Sequence, residues 1–447
     1  MNVILTDNPA DRGILAAARA DCACDCQCAC PTDGAALPVL SLPAAYYLEL
    51  TPVCNNACPG CGNVYGDAER AAPPLDGAAW NRLIARLSTH AQQFKLTGGE
   101  PTLHPDFIDI VQHIDTLGIP FTLFSNGRWA DPPRMLRLLA GLSHLEGLLI
   151  SLHGPDAATH EAFSGVTGSF AQTTTGICQA VEAGLDVSLS MVLNRHNFDQ
   201  IEATLELALH LGANHLVVNR LIQSGVASTH PPMPDPAQLR RAIATVERLR
   251  TQGRPIRFGN CIPQCFEPSS SRGCTAGSSF ATVDPWGRLR PCNHAPLIAG
   301  DLNVQQVAEV WHGATMQRWR ALLPPICAHC AAMAFCHGGC RAEALWSGTP
   351  HDPLIATPLS TWKPETEEPE LRLWAELRPL GVFTRQEEGQ TIVLLNRGMV
   401  TTVPLSDRPL LDRLDGTLTL RDIREQYGAA AVDRLGILHR EGLIVWQ

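Results

Sequence analysis

The cysteines of this chain limit its possible folds more than any other feature, because they are numerous and grouped. Its 447 residues include 17 cysteines, an odd number that excludes complete disulfide pairing within one chain. Grouped thiols in a chain without a secretory signal favour metal sites over structural disulfides. Four groups lie at residues 22–30, 54–61, 261–292 and 327–340, and Cys178 stands alone.

The composition excludes several classes of protein. A hydrophobic share of 45% and a charged share of 17% are typical of a globular chain. The net charge of -10 argues against a nucleic-acid-binding protein. The N-terminus lacks the basic and apolar regions of a signal peptide, and no apolar run is long enough to span a bilayer. We therefore expect a cytoplasmic protein with no membrane or nucleic-acid partner.

Apolar strand patterns alternate with helical periodicity between residues 46 and 250. This alternation predicts βαβ units and an α/β fold with a parallel sheet. Six units are fewer than the eight that close a barrel, so we expect a partial (β/α)6 barrel with its chemistry at the carboxyl ends of the strands. The predicted strands are 46–50, 94–96, 121–124, 148–152, 187–192 and 215–218, and the predicted helices are 80–91, 107–117, 134–142, 170–183, 198–211 and 238–250.

The sequence predicts five segments in all. A Cys-rich extension (1–40) precedes the barrel (44–252), and a cysteine-rich, loop-rich region (255–360) that needs metal for stability follows it. The acidic, proline-containing linker 361–378 leads to a compact unit at 379–447, with a hairpin around residues 396–398 and three helices. This last unit is expected to be winged-helix-like.

The spacing Cys54-x3-Cys58-x2-Cys61 follows the first predicted strand. Three thiolates can hold three irons of a [4Fe–4S] cluster and leave one iron open, since such a cluster normally takes four cysteines. Zinc is the alternative, although structural zinc sites usually have four ligands. Other polar or glycine-rich segments follow the next strands, at Gly98-Gly99-Glu100-Pro101, Ser125-Asn126 and Ser151.

Together these segments resemble the radical S-adenosylmethionine (SAM) superfamily over residues 44–250. The resemblance implies that Cys54, Cys58 and Cys61 hold a [4Fe–4S] cluster whose open iron is chelated by SAM. It also implies that SAM contacts Gly98, Gly99, Glu100, Pro101, Ser125, Asn126 and Ser151, with no catalytic side chain beyond the cluster and SAM. The chain departs from the family at Gly60, where an aromatic residue often contacts adenine; backbone or another side chain is expected to replace that contact.

The later cysteines resemble the SPASM extension of radical SAM enzymes, which carries one or two auxiliary [4Fe–4S] clusters. The resemblance assigns Cys274, Cys292 and Cys340 to the first, completed by Cys265 or Cys261, and Cys327, Cys330 and Cys336 to the second. The family's last cysteine is missing, because none follows Cys340. The second cluster is then expected to have an open iron, or Asp352 or His351 as ligand. A zinc site formed by Cys327, Cys330, Cys336 and Cys340 is the alternative.

The resemblance implies an enzyme that forms a 5′-deoxyadenosyl radical and abstracts hydrogen from a ribosomally made peptide or protein. A thioether, a carbon–carbon crosslink, epimerisation or oxidation would follow, with flavodoxin or ferredoxin as reductant. The C-terminal unit resembles PqqD-like modules, which bind leader peptides by strand addition. Alternatives are an enzyme of tetrapyrrole or other cofactor biosynthesis and a non-enzymatic iron–sulfur carrier.

The alternating cysteines Cys22, Cys24, Cys26, Cys28 and Cys30 allow three interpretations. In an extended strand their sulfurs share one face. The segment is a metal-binding tail, a fused substrate-like peptide or a disordered extension.

Overall fold

The computed structural model describes residues 39–225, 232–268, 273–362, 376–396 and 399–446. The cysteines at 22–30 and most of the 361–378 linker lie outside the described residues. No helix within those ranges has both the length and the apolar character needed to cross a bilayer.

The predicted α/β fold with a parallel sheet is confirmed. Six strands alternate with helices as the sequence predicts, and all pair in parallel with their neighbours. The strands are β1 (Ala45–Glu49), β2 (Gln93–Thr97), β3 (Phe121–Ser125), β4 (Leu145–Ser151), β5 (Val187–Leu193) and β6 (His215–Arg220). The helices of this part are α1 (Asp67–Ala71), α2 (Gly77–Leu87), α3 (Phe107–Thr116), α4 (Pro132–Ala140), α5 (Ala157–Ser164), α6 (Ser169–Glu182), α7 (Ile201–His210) and α8 (Pro236–Thr251).

The sheet extends beyond the six predicted strands. β7 (Ile256–Phe258) continues it in parallel beside β6, and β8 (Phe280–Val283) pairs in parallel with β1. β9 (Arg288–Arg290) and β10 (Gly300–Asp301) add an antiparallel edge, which gives ten strands. The sequence analysis missed these strands because each has only two to four residues, too few to show an apolar period.

Along the barrel strands, successive side chains point alternately into the buried core and into an open lumen. In β5, Val187, Leu189, Met191 and Leu193 are buried against the helices. Ser188, Ser190 and Val192 point the other way and line a cavity inside the half-barrel. Successive side chains of a strand face opposite sides of its sheet, so one apolar period builds the core and leaves a partly polar lumen.

Helix α2 shows how the outer layer is fixed. Asp76 caps the helix by accepting a hydrogen bond from the Ala79 N–H. Trp80, Ile84 and Leu87 recur at helical spacing and are fully buried in the core. The amphipathic period that predicted a helix here is therefore the period that buries it against the sheet.

The region after the barrel is mainly short helices and loops. Its helices are α9 (Val307–Trp311), α10 (Ala314–Ala321), α11 (Met333–Cys336) and α12 (Arg341–Ser347). Because β7 to β10 belong to the barrel sheet, this region is continuous with it through backbone hydrogen bonds. The predicted boundary between residues 252 and 255 stays a prediction.

The C-terminal unit has a separate core that includes Ile392, Leu420, Ile423 and Leu435. The predicted hairpin strands and two of the predicted helices form, and residues 405–414 hold a 3-10 turn and one short helix. Two additional strands, β11 and β12, were not predicted, and the winged-helix interpretation stays a prediction. The elements are β11 (Pro379–Gly381), β12 (Thr384–Glu388), β13 (Thr391–Asn396), β14 (Met399–Pro404), α13 (Arg408–Leu411), α14 (Leu420–Tyr427), α15 (Ala429–Arg440) and β15 (Ile444–Trp446).

Candidate active site

The loop that carries Cys54, Cys58 and Cys61 leaves the carboxyl end of β1. All three thiols are free. Burial raises the pKa of the Cys58 thiol, and its neighbours Cys61 and Cys54 raise it further. Three mutually repelling thiolates in a partly buried loop fit a cationic metal centre, which would offset both the burial and the repulsion.

The end of β3 holds the cysteine loop in position. The Asn126 side-chain amide donates to the side-chain oxygen of Asn55 at 2.5 Å. The Arg128 guanidinium donates to the Asn55 carbonyl at 2.7 Å, and the Asn55 amide donates to the Arg128 carbonyl at 3.0 Å. The sequence analysis missed Arg128, although its place after the Ser125-Asn126 segment was a usable signal.

Helix α5 holds the same loop from the other side. The Ala57 N–H donates to the Ser164 carbonyl at 2.9 Å, and the Cys58 thiol donates to that carbonyl at 3.7 Å. The loop is thus fixed at both flanks by hydrogen bonds within the protein.

The Gly98–Pro101 segment runs directly beside the start of the cysteine loop. The Gly99 N–H donates to the Thr51 carbonyl, and the Glu100 N–H donates to the Val53 carbonyl, both at 2.7 Å. A Cβ at position 99 would lie 2.2 Å from the Val53 oxygen, so only glycine permits this approach. The two segments predicted to share one site are therefore adjacent.

Glu100 is fully buried, and its carboxylate organises the neighbouring strand end. It accepts hydrogen bonds from the Ser125 hydroxyl at 3.0 Å and from the Asn126 N–H at 2.7 Å. Burial raises the pKa of Glu100, and these hydrogen bonds act against that rise. The Ser125 hydroxyl also accepts from the Trp129 indole N–H at 3.0 Å, so this hydroxyl both donates and accepts hydrogen bonds within the protein. Ser151 ends β4 and is half-buried.

Phe163 occupies the space beside Gly60. A Cβ at position 60 would lie 2.6 Å from the Phe163 ring, and Phe163 is 5% exposed. The ring packs against His153 with 4.3 Å between centroids. Burial lowers the pKa of His153 to about 3, so this imidazole is neutral. An aromatic side chain from α5 therefore lies beside the position where the cysteine loop lacks one. No local sequence motif reveals this contact.

The eight cysteines of the second half of the chain fall into two groups in space. Cys261 lies in hydrogen-bonding contact with Cys274 and Cys340, and those contacts raise the pKa of Cys261. Burial raises the pKa of Cys292, with further contributions from Cys274 and Cys340. The first group is therefore Cys261, Cys274, Cys292 and Cys340.

The second group contains Cys327, Cys330 and Cys336, as the sequence predicts, and also Cys265. Burial raises the pKa of Cys327, and Cys330, Cys336 and Cys265 raise it further. Cys340 belongs to the first group, so the zinc site proposed for Cys327, Cys330, Cys336 and Cys340 does not assemble. Among the described residues, no three His, Cys, Asp or Glu side chains form a site for a single metal ion.

The burial and hydrogen bonding of Arg341 indicate whether the first group fits an iron–sulfur cluster. Its side chain is 4% exposed, and its Nε and Nη1 atoms have no hydrogen-bond partner among the described residues. Burial lowers the pKa of Arg341, and all four cysteines of the first group oppose that change. A buried cation with two unpartnered nitrogens fits an anionic cluster in contact with it, because a cluster with four thiolates would supply both charge and acceptors.

A cavity of about 1740 Å³ joins these parts. It borders Gly60 and Gly62 of the cysteine loop at one point and all four cysteines of the first group at another. Lys95, Ser190 and Asn219 line the lumen between them. The cavity also reaches the C-terminal unit, where Arg424, Asp433 and Ile437 line it. The cysteine loop and the first group therefore border one cavity.

Comparisons with known proteins agree with this geometry. The profile of the radical SAM superfamily matches residues 48–208, and that of an iron–sulfur cluster-binding domain, SPASM, matches residues 274–331. The PqqA peptide cyclase of Ruegeria pomeroyi is 29% identical over 75% of this chain and 92% of its own length. The cyclase of Rhodopseudomonas palustris is 30% identical over 70% of this chain and 85% of its own length.

A solved structure supports the fold. SuiB of Streptococcus suis, bound to its precursor peptide SuiA, superposes with a TM-score of 0.59 at 17% identity, over 70% of this chain and 75% of SuiB. The match to the radical SAM profile and the identity with the peptide cyclases favour an enzyme over an iron–sulfur carrier. The chain thus belongs to the radical SAM superfamily, as a SPASM-containing enzyme that uses SAM on a [4Fe–4S] cluster together with auxiliary iron–sulfur clusters.

Proposed function

We propose that this enzyme modifies a ribosomally made peptide by abstracting a hydrogen atom from it. The observation that carries the proposal is the cavity, which borders both the cysteine loop and the first cysteine group and is large enough for a peptide segment. The relatives named PqqA peptide cyclase and the SuiB–SuiA complex support a peptide substrate.

Cys54, Cys58 and Cys61 would hold the cluster on which SAM binds. When bound, the cluster and SAM supply a 5′-deoxyadenosyl radical, formed by one-electron cleavage of a carbon–sulfur bond. The Gly98–Pro101 segment and the ends of β3 and β4, including Ser125, Asn126 and Ser151, would form the SAM pocket. Ser125 and Asn126 would act mainly by fixing the cysteine loop, because their side chains already bond within the protein.

Phe163 would supply the aromatic contact that Gly60 cannot make. Its ring lies where a side chain at position 60 would otherwise project. An aromatic face offers adenine a stacking surface, and the surrounding protein keeps water away from it.

The C-terminal unit would hold the substrate's leader peptide. Strand addition to the β12–β13–β14 sheet is the proposed mode, as in other peptide-binding modules. Because Arg424, Asp433 and Ile437 border the cavity, a peptide held by this unit would lie beside the lumen. A flavodoxin or ferredoxin as reductant, and a cytoplasmic location where thiols stay reduced, complete the proposal.

The test uses anaerobically reconstituted enzyme with SAM, a reductant and short peptides encoded by neighbouring reading frames. We expect 5′-deoxyadenosine and a peptide of altered mass, both absent from a Cys54→Ala/Cys58→Ala/Cys61→Ala variant. Deletion of residues 379–447 is expected to abolish peptide binding and leave SAM cleavage. Turnover of a small molecule, with no peptide modified, would contradict the proposal.

A further inference from the structure

The second cysteine group needs a fourth ligand that its local sequence does not supply. Cys327, Cys330 and Cys336 are close in sequence, and no cysteine follows Cys340. A [4Fe–4S] cluster with three thiolates keeps one iron open, whereas one with four is closed. The identity of the fourth ligand therefore decides whether this cluster can bind a substrate.

Hydrogen bonds place Cys265 at this group. The N–H of the neighbouring Gln264 donates to the Cys336 sulfur at 3.4 Å. The Ala356 N–H donates to the Cys265 sulfur at 3.3 Å, and the Leu359 N–H donates to the Cys330 sulfur at 3.4 Å. One short segment, 356–359, therefore borders the sulfurs of both Cys265 and Cys330.

Further contacts close the arrangement. The Ala331 N–H donates to the Leu359 carbonyl at 2.9 Å, which fixes the 356–359 segment beside the group. The Trp362 indole donates to the Gln264 side chain at 3.2 Å and packs on Phe335 with 4.9 Å between ring centroids. Burial raises the pKa of Cys265, and Cys330 adds to that rise, as expected for neighbouring thiols.

Asp352, one of the ligands suggested by the sequence, is already engaged elsewhere. Its two oxygens accept from both terminal nitrogens of Arg220, at 3.1 and 2.5 Å. They also accept from the Cys340 N–H at 2.8 Å and the Leu354 N–H at 3.0 Å. With the residue 1% exposed and both oxygens accepting hydrogen bonds, this carboxylate holds the loop, and it acts on the second group only through its charge, which adds to the rise in the pKa of Cys265.

We propose that Cys265 is the fourth ligand of the second auxiliary cluster, and that Cys261 completes the first. The inference rests on the auxiliary clusters of the proposed function and deepens it. Cys265, which precedes the group in sequence, would replace the family's missing last cysteine, which would follow it, and the Cys265 sulfur accepts a hydrogen bond from the N–H of Ala356. The second cluster then has no iron open to substrate. Its position agrees with this, because the cysteines of the second group are not among the residues that line the cavity in the described chain, whereas all four cysteines of the first group are.

The test counts iron and sulfide in anaerobically reconstituted full-length protein and records electron paramagnetic resonance (EPR) spectra after reduction. Three [4Fe–4S] clusters correspond to about 12 irons per chain. Cys265→Ala leaves three thiolates, so the second cluster is expected to be incomplete, with a lower iron content than wild type and an altered EPR signal. Cys265→Ser, whose oxygen remains a ligand, is expected to keep most iron with a shifted EPR signal. Cys178→Ala, a cysteine on α6 outside both groups, is the matched control and should equal wild type.

Membership of a group is settled by combining variants, because two changes to one cluster are not additive. In a Cys327→Ala/Cys330→Ala/Cys336→Ala background, Cys265→Ala should remove no further iron, whereas Cys261→Ala should lower the iron content further. Further loss with Cys265→Ala, or wild-type iron and EPR signals in the Cys265→Ala single variant, would overturn the proposal. Loss of the second cluster in His351→Ala with Cys265→Ala unaffected would assign His351 instead.

These readouts separate the ligand assignment from the proposed function. The expected iron counts in an enzyme that modifies no peptide would sustain Cys265 and contradict the function. Wild-type protein with only about four irons would contradict the auxiliary clusters, and the Cys265 assignment with them.

Discussion

Arg220 and Asp352 form a buried ion pair between the end of β6 and the loop that follows α12, across 132 positions of sequence. Their side chains are 3% and 0% exposed. Asp352 also accepts from the Cys340 N–H, so the pair ties the barrel directly to a cysteine of the first group. Arg220 itself borders the cavity. The pair therefore couples the shape of the lumen to the auxiliary region.

Removal of one partner of this pair should be costly. Asp352→Ala leaves the Arg220 guanidinium buried without its carboxylate, and we expect a loss of about 3–5 kcal/mol in the free energy of unfolding. Glu202→Ala breaks the exposed pair with Arg248 and serves as the control, with a much smaller loss of stability because solvent screens the pair. Urea unfolding of the anaerobic holoenzyme measures both. Equal losses would show that burial does not set the strength of the Arg220–Asp352 pair.

The two kinds of cluster should differ in what their loss abolishes. Cys58→Ser replaces one of only three thiolate ligands in the loop beside Gly98–Pro101 with a weaker oxygen ligand, so it should abolish formation of 5′-deoxyadenosine. Cys336→Ser alters the second group only, so SAM cleavage should largely persist while the modified product is lost. Quantification of 5′-deoxyadenosine and product by chromatography separates the two. A parallel loss of both activities in Cys336→Ser would argue against separate roles.

Phe163 should contribute to SAM affinity. Phe163→Ala removes the ring beside Gly60, and an aromatic contact worth about 0.5–1.5 kcal/mol predicts SAM binding weakened roughly 2- to 13-fold. Phe163→Leu keeps an apolar side chain without an aromatic face, so it tests whether packing alone is enough. Equilibrium binding of SAM to the reconstituted protein gives the result. Wild-type affinity in Phe163→Ala would exclude the ring from the SAM site.

Arg341 should influence the reduction potential of the first auxiliary cluster. Its buried positive charge favours the more reduced, more negative state, so Arg341→Leu should move that potential to more negative values. Arg341→Lys keeps the charge and should lie between the variant and wild type. A redox titration followed by EPR measures the shift. An unchanged potential with intact iron content would place the guanidinium outside the influence of the cluster.

Local sequence patterns were sufficient for the elements whose causes are local. The apolar period of β5 and the capped, amphipathic α2 follow from side-chain alternation and helix geometry, so both were predicted. The Cys54–Cys61 spacing is local as well, since three ligands of one cluster fit on one loop. Short strands such as β8 were missed because β8 is stabilised by pairing with β1, more than 230 positions earlier, and not by its own pattern.

The chain's sequence by itself determined that a parallel α/β scaffold carries thiol groups at its strand ends and beyond it. Only the tertiary structure decided which thiols belong together. It places Cys261 beside Cys274 and Cys340, and Cys265 beside Cys330, although Cys261 and Cys265 are only four positions apart. It also brought Phe163 to the place that Gly60 leaves open. The physical reason is that a cluster's ligands and a cofactor's pocket are set by distances in space, and segments far apart along a chain acquire those distances only when the core packs.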